Sequence, residues 1–576
     1  MAGFEGLYGN HAWLGIPFAS APTGALRWRA PRPPVPWKGT RQALKPGASC
    51  PQFASPGGGA AGEEPGEPSG NEDCLFLNVF APRFAPGEVP RGSGRLPVML
   101  WIHGGGNSTG DSRPYDGGRL ASRHDLVVVT VHYRLGVFGW FSHSALRAQA
   151  RDELDRSGNW GTLDLVRSLQ WVRENIAAFG GDPNNITLFG ESSGATNVLS
   201  LLVSPVARGS FQQAIAQSGS LNTVTPAEAE NLSDSSEPGH ESSSQEVLLR
   251  LLIADGAVDR SAAKVRAAAM SDAEIASFLR TKPADDILRV FDGAGLAGMY
   301  SYPGLIRDGV VIPTGEPLEA FSRPDGSAPV PAILGTNRDE NKLFLLFGSE
   351  YVARLFGLPL WLKDERAYDL AAEYSSKFWK ARGVDEPAAA LQNSQAAPVF
   401  AYRFDWDEEP SVLWADFSKL LGAAHALEIP FVFGTFDLGP GNRFLWDPEK
   451  LAGRDRLSDA IMSYWAQFAY TGDPGRGRSG TLEPWKPWDA SSEKAAKFLL
   501  LDTAEGGGMR MSADTVDTQT LLAQIADDDR FASQRERCDL YYQLARWGDA
   551  LSEEEYATVG NAACRDFPFD SHPWPQ

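Results

Sequence analysis

Residues 190–194 read Gly-Glu-Ser-Ser-Gly, a G-x-S-x-G pattern lying between two apolar runs. An alcohol is too weakly acidic to attack a carbonyl at neutral pH, so a nucleophilic serine needs an exposed hydroxyl and an adjacent base. A sharp strand-to-helix elbow supplies the exposure, and glycines two before and two after the serine leave room for its tight backbone. Ser192 holds the central position and is the expected nucleophile. Ser193, next in the chain, is expected to offer its backbone N–H to the oxyanion that forms. Upstream, "HGGGN" (103–107) closes another apolar run, where glycine N–H groups can approach the same oxyanion.

A serine on such an elbow finds its partners in the chain order serine, acid, histidine. Only His240, His425 and His572 follow Ser192. His240 sits in a polar Ser-rich stretch and His572 lies four residues from the C-terminus, so neither is expected to be held rigidly. His425, in "LGAAHALEIPFVFG" (421–434), is flanked by small residues and followed by an apolar run, and it is the expected general base. For the acid, "VPAILGTN" (330–337) runs into Arg338-Asp339-Glu340. A carboxylate just past a strand's C-terminal end reaches the top of a sheet, but spacing leaves Asp339 and Glu340 equally open.

These side chains need strands and helices to hold them. "LPVMLWIHGG" (96–105), "DLVVVTVHYR" (125–134), "NITLFG" (185–190) and "VPAILGTN" are almost continuously apolar, as strands covered on both faces are. Between the second and third lies 163–181, where Leu165, Leu169, Val172 and Ile176 share a helical face and Gly180-Gly181 ends the element. "ATNVLSLLVS" (195–204) is the apolar helix expected after the serine. Strand, helix, strand predicts an α/β architecture with a largely parallel central sheet flanked by helices. Residues 55–73 and 230–245, rich in Gly, Pro, Ser and acids, read as surface loops or inserts, so a single domain over 1–576 is expected.

Composition narrows the function classes. The 576 residues are 43% hydrophobic and 22% charged, ordinary globular values. The 73 acidic against 53 basic side chains give a formal charge of -20, which repels phosphates and disfavours a nucleic-acid partner. No apolar stretch approaches the roughly 20 residues of a transmembrane helix. The start, "MAGFEGLYGNHAWLG", lacks a basic segment followed by an apolar one, so an export signal is absent or was removed. Cys50 with Cys74 and Cys538 with Cys564 form two sequence-local pairs, compatible with two disulfides or with four thiols. Oxidised pairs imply a periplasmic or secreted protein, and reduced ones a cytoplasmic protein.

Taken together, the chain resembles the type-B carboxylesterase family, which includes the cholinesterases and has the α/β-hydrolase fold. The resemblance runs through "WLGIPFASAPTGALRWRAPRPP" (13–34), "EDCLFLNVFAP" (72–82), "WIHGGG", "HYRLGVFGW" (132–140), "WVRENIAAFGGDPNNITLFGESSGA", "AQSGS" (216–220), "GTNRDEN" (335–341) and "HALEIPFVFG". It implies Ser192 as nucleophile, Glu340 as the acid and His425 as the base, with Gly105, Gly106 and Ser193 as N–H donors of an oxyanion hole. Ser218 is implied in a supporting hydrogen-bond network, and Cys50–Cys74 as a bridge; the Cys538 and Cys564 pair has no counterpart in the resemblance.

The chain departs from that pattern in several places. Asn107 stands where relatives often carry an aromatic, and it is expected to widen or polarise an acyl pocket. Ser193 replaces a usual alanine and Asn341 a common glycine. The loop between Cys50 and Cys74 holds Phe53 but no Trp, so a choline ester is not an expected substrate. The resulting expectation is a serine hydrolase of small carboxylic esters, without metal or organic cofactor and of open oligomeric state. The alternatives are a catalytically silent binding or adhesion protein of this fold and a lipase acting on long-chain lipid esters.

Overall fold

The computed structural model describes residues 1–569 apart from 56–63, 86, 292–294, 356–357, 438–444, 549–550, 552 and 563. His572 and part of the 55–73 loop therefore lie outside the described residues. The chain forms two compact units. The first comprises Met1–Ile215 and Leu221–Val330, and the second comprises Ala216–Ser220 and Pro331–Gln576.

In the first unit, β1 (Asn10–Pro17), β2 (Phe76–Pro82), β3 (Leu96–Ile102), β4 (Val127–Val131) and β5 (Gly181–Glu191) pair in the order β1-β2-β4-β3-β5. β1 and β2 run antiparallel at one side, whereas β3, β4 and β5 are parallel, with Leu100 opposite both Val129 and Leu188. The valines and leucines of β3 and β4 are buried on both faces, which is why these strands carry no polar alternation. The crossover from β4 to β5 contains α1 (Trp160–Asn175), which buries Leu165, Leu169 and Val172. A 3-10 turn, Ile176–Phe179, and Gly180 at φ 86° then close it. After β5 comes α2 (Ser193–Val203), and β6 (Gln213–Gln217) carries the chain toward the second unit.

In the second unit, β7 (Ala332–Asn337), β8 (Val399–Phe404) and β9 (Phe498–Leu501) are parallel, and β10 (Arg510–Ser512) is antiparallel to β9. The helices include α3 (Lys342–Gly348), α4 (Glu365–Lys380) and α5 (Leu451–Thr471). Farther along, α6 (Thr518–Asp527) and α7 (Gln534–Gly548) bury Leu521, Ile525, Leu540 and Tyr541 against Leu370, Tyr374 and Phe378 of α4.

Both cysteine pairs are bridged, Cys50–Cys74 and Cys538–Cys564. Inside the first loop, Gln52 and Phe53 pair antiparallel with Ser69 and Pro68, so part of the expected surface loop is a short hairpin. The 230–245 segment is exposed over 233–238, whereas Ser242–Ser244 are buried. Asp234 binds Arg260 and Lys264 across it, and Ser233 donates to Glu246.

Candidate active site

The first unit holds the serine elbow. Ser192 stands between β5 and α2 at φ 57° and ψ -127°, a conformation that costs a non-glycine residue on the order of 1–3 kcal/mol. Its neighbours enforce it. A Cβ on Gly194 would overlap the carbonyl oxygen of Ile102, and one on Gly190 would come within 2.7 Å of the backbone of Gly194 and of Ile102. Only glycines let the elbow close so tightly against β3.

The glycine loop after β3 lies against the same elbow. A Cβ on Gly104 would meet the Ser192 side chain at 3.0 Å. Gly105, Gly106 and Asn107 all have positive φ (106°, 60° and 55°), and the N–H groups of Ser108 and Thr109 fold back onto the Gly105 carbonyl. Gly105 is half-buried and Gly106 exposed.

Asn107 is buried, and its polar groups are turned into the scaffold. Its carbonyl accepts from Gly136 N–H at 2.6 Å and its N–H donates to Ser193 Oγ at 2.9 Å. Its Oδ1 accepts from Asn197 Nδ2 at 2.7 Å and from the Tyr133 hydroxyl at 3.1 Å. The side-chain oxygen expected to polarise an acyl pocket thus polarises the contact between the loop and α2.

The one Tyr133 proton is shared with the nearer His103 carbonyl at 2.7 Å, and the ring stacks on His103 at 4.6 Å. Burial pushes the His103 imidazole down to about 4 and lifts the Tyr133 phenol above its ordinary value. Both side chains are neutral at neutral pH, so the loop beside Ser192 carries no charge of its own from them.

The second unit holds the acid and the imidazole. Glu340, just past β7, is fully buried, and its Oε2 lies 2.6 Å from His425 Nδ1. Its Oε1 accepts from Thr336 Oγ1 at 2.8 Å and from Asn337 N–H at 2.7 Å. Asp339, the neighbouring candidate, is turned away and binds Arg338 and the N–H of Ala423. The rings of Trp379 and Phe344 flank His425 at 4.8 Å and 5.3 Å.

Ser218, in the segment of the second unit that follows β6, donates its N–H to Gly335 and accepts from Trp379 Nε1 at its carbonyl, while its buried hydroxyl has no hydrogen-bond partner among the described residues. His240 is a loop pin, accepting from Ser242 N–H. Asn341 opens α3, its N–H donating to Ser376.

A second buried carboxyl was not anticipated from the sequence. Glu428 accepts from Asn337 Nδ2 at 2.7 Å and Gln217 Nε2 at 3.1 Å. Burial, reinforced by the nearby Glu340 carboxylate, raises its pKa. The signal available was its place three residues after His425, at the start of an apolar run. For Tyr133 and Asn197 no pattern in the chain pointed to a role.

Comparison with known proteins agrees with this chemistry. The sequence profile of the Carboxylesterase family matches residues 4–356 and 363–518. Para-nitrobenzyl esterase of Bacillus subtilis (strain 168) is 35% identical over 520 residues, covering 86% of this chain and 92% of that protein. Fumonisin B1 esterase of Sphingopyxis macrogoltabida is 31% identical over 538 residues, covering 88% of this chain and 87% of its own. Among solved structures, a thermophilic PNB esterase superposes with a TM-score of 0.66 at 30% identity, over 88% of this chain and 95% of that one. With a profile match across most of its length and relatives aligned over nearly all of theirs, the chain belongs to the carboxylesterase family and has the α/β-hydrolase fold.

Proposed function

We propose that Ser192 is the nucleophile of this carboxylic-ester hydrolase, with His425 as its base and Glu340 as the carboxylate that orients the imidazole. The observation that carries the reading is the strained Ser192 backbone, held by Gly190 and Gly194 at the end of a buried strand. Strain of this kind persists only where its surroundings enforce it, and it exposes a hydroxyl at a helix start.

In the proposed cycle His425 takes the Ser192 proton as Oγ attacks the ester carbonyl. The oxyanion is held by the N–H groups of Gly105, Gly106 and Ser193. The tetrahedral intermediate collapses, and the alcohol leaves with the proton from His425. Water, deprotonated by the same imidazole, then attacks the acyl-enzyme and releases the acid and the serine. Glu340 accepts the Nδ1 proton of His425 and stabilises the imidazolium, its other oxygen being fixed by Thr336 and Asn337.

The substrates are small-molecule carboxylic esters. No described helix is long and apolar enough to cross a membrane. The two disulfides support a periplasmic or secreted location, which fractionation of the native cells tests directly.

Hydrolysis of p-nitrophenyl esters of increasing acyl length tests the activity. Turnover by the wild type and its loss in Ser192→Ala are expected. Retained turnover in that variant would assign the chemistry to another group, and inactivity on every ester would favour a binding protein.

A further inference from the structure

We propose that Ser193, Asn107, Asn197 and Tyr133 form a positioning clamp that fixes the oxyanion donors against the nucleophile; this rests on the reading of Ser192 as that nucleophile. Asn107, the residue after the three glycines, and Ser193, the residue after the serine, are bonded to each other. The Asn107 N–H donates to Ser193 Oγ at 2.9 Å.

The clamp grips α2 at two points. Ser193 and Asn197 are four residues apart and so share one face of that helix. Asn107 reaches the first through its main-chain N–H and the second through its side-chain Oδ1, which accepts from Asn197 Nδ2 at 2.7 Å. Tyr133 closes the group from the far side, its single hydroxyl proton shared between the carbonyl of His103 at 2.7 Å and Asn107 Oδ1 at 3.1 Å.

Asn107 and Asn197 are 3% and 0% exposed, so bulk water is not at hand to replace these bonds. The loop between the anchors, Gly104–Gly106, consists of glycines, two of them at positive φ, and glycines do not by themselves hold one conformation. The Gly106 N–H shares a peptide plane with the Gly105 carbonyl, which the N–H groups of Ser108 and Thr109 hold, and the bonds to Asn107 fix where that turn sits against α2. The N–H of Ser193 belongs to the same residue that does the holding. Three donors intended for one oxygen are thus locked together by one cluster of side chains.

The consequence is specific to the transition state, because the oxyanion exists only there. A trifluoromethyl ketone reports it without turnover: Ser192 Oγ adds to the ketone carbon, its proton passes to His425, and the resulting hemiketal oxyanion occupies the same donors. Loosening the donors by a fraction of an ångström lowers kcat by roughly ten- to a hundredfold, whereas KM stays within about a factor of two.

The test compares Ser193→Ala and Ser193→Thr with wild type in kcat, KM, trifluoromethyl ketone affinity and thermal midpoint, and runs the cycle Asn107→Ala, Asn197→Ala and their double. Expected are a matching fall in kcat and ketone affinity in Ser193→Ala at unchanged KM, with recovery in Ser193→Thr. In the cycle, the double variant should be no slower than the poorer single.

Wild-type kcat and ketone affinity in Ser193→Ala, or strictly additive losses in the cycle, would overturn the clamp. If Ser193→Ala does not fold, the cycle alone decides. Esterase activity persisting in Ser192→Ala would instead remove the reading beneath it, so the two failures are distinguishable.

Discussion

Glu340 has both carboxylate oxygens committed, Oε2 to His425 Nδ1 and Oε1 to Thr336 and Asn337. Glu340→Gln keeps the shape but can place an N–H where an acceptor is needed, favouring the wrong imidazole tautomer. The expected outcome is a fall in kcat of about 10³- to 10⁴-fold with little change in thermal midpoint, read from steady-state kinetics beside a melt. A loss below tenfold would mean that Glu340 does not orient the base. At this scale the chain order singled out Ser192 and His425 as candidates, whereas spacing left Asp339 and Glu340 inseparable and only the family resemblance pointed to Glu340. What separates them is the direction in which each side chain leaves the end of β7, Asp339 to Arg338 and Glu340 to His425. Direction leaves no trace in spacing. The polarising role expected of Asn107 fails for the same reason, since a polar residue in a loop says nothing of which way its oxygen turns.

Among the elements, those built from continuous apolar runs were the most legible. The run 96–105 became β3, 125–134 became β4 and 330–337 became β7, because a strand buried on both faces has no alternative composition. The helix expected over 163–181 begins earlier, at Trp160, and gives way to a 3-10 turn at Ile176, since Gly180 closes the turn rather than the α-helix. The antiparallel β1 and β2 were not anticipated: β1 mixes Asn, His, Trp and Gly, and its pairing with β2 is interrupted between Trp13 and Ile16. The family profile ends at the first residue of α6, and beyond it Cys538 of α7 is bridged to Cys564, 26 residues on, with both cysteines in the apolar cluster that takes in Leu521 and Ile525 of α6. Opening that loop restores chain entropy to the unfolded state, on the order of 3 kcal/mol. Cys538→Ser with Cys564→Ser should therefore speed amide exchange in α6 and α7 while ester turnover stays at the wild-type level. Unchanged exchange there would mean that the apolar cluster alone holds these helices.

For the whole molecule, the formal charge of -20 makes buried and half-buried carboxylates the groups that link stability to pH. Asp502, just after β9, is the clearest. Burial lifts its carboxyl from 3.8 to about 6, with Asp405 and Asp407 adding repulsion against a bond from Thr503 N–H. Between those two values the folded state binds more protons than the unfolded one, so this group's contribution falls as pH rises and its penalty is complete above about 6. Asp502→Asn removes the titration while keeping an acceptor for Thr503. Its thermal midpoint should match wild type near pH 4 and exceed it by a growing margin up to about pH 7; a constant difference across that range would show that Asp502 is not the linked group.

The identity of the nucleophile bears on every step of the proposed chemistry, and covalent labelling reads it in a single sample. A fluorophosphonate should add one phosphonyl group per chain, with loss of fluoride, and peptide mapping should place that group on Ser192 with turnover extinguished in proportion. Full labelling of a different residue, or unlabelled Ser192 in protein that has lost its activity to the reagent, would contradict the account.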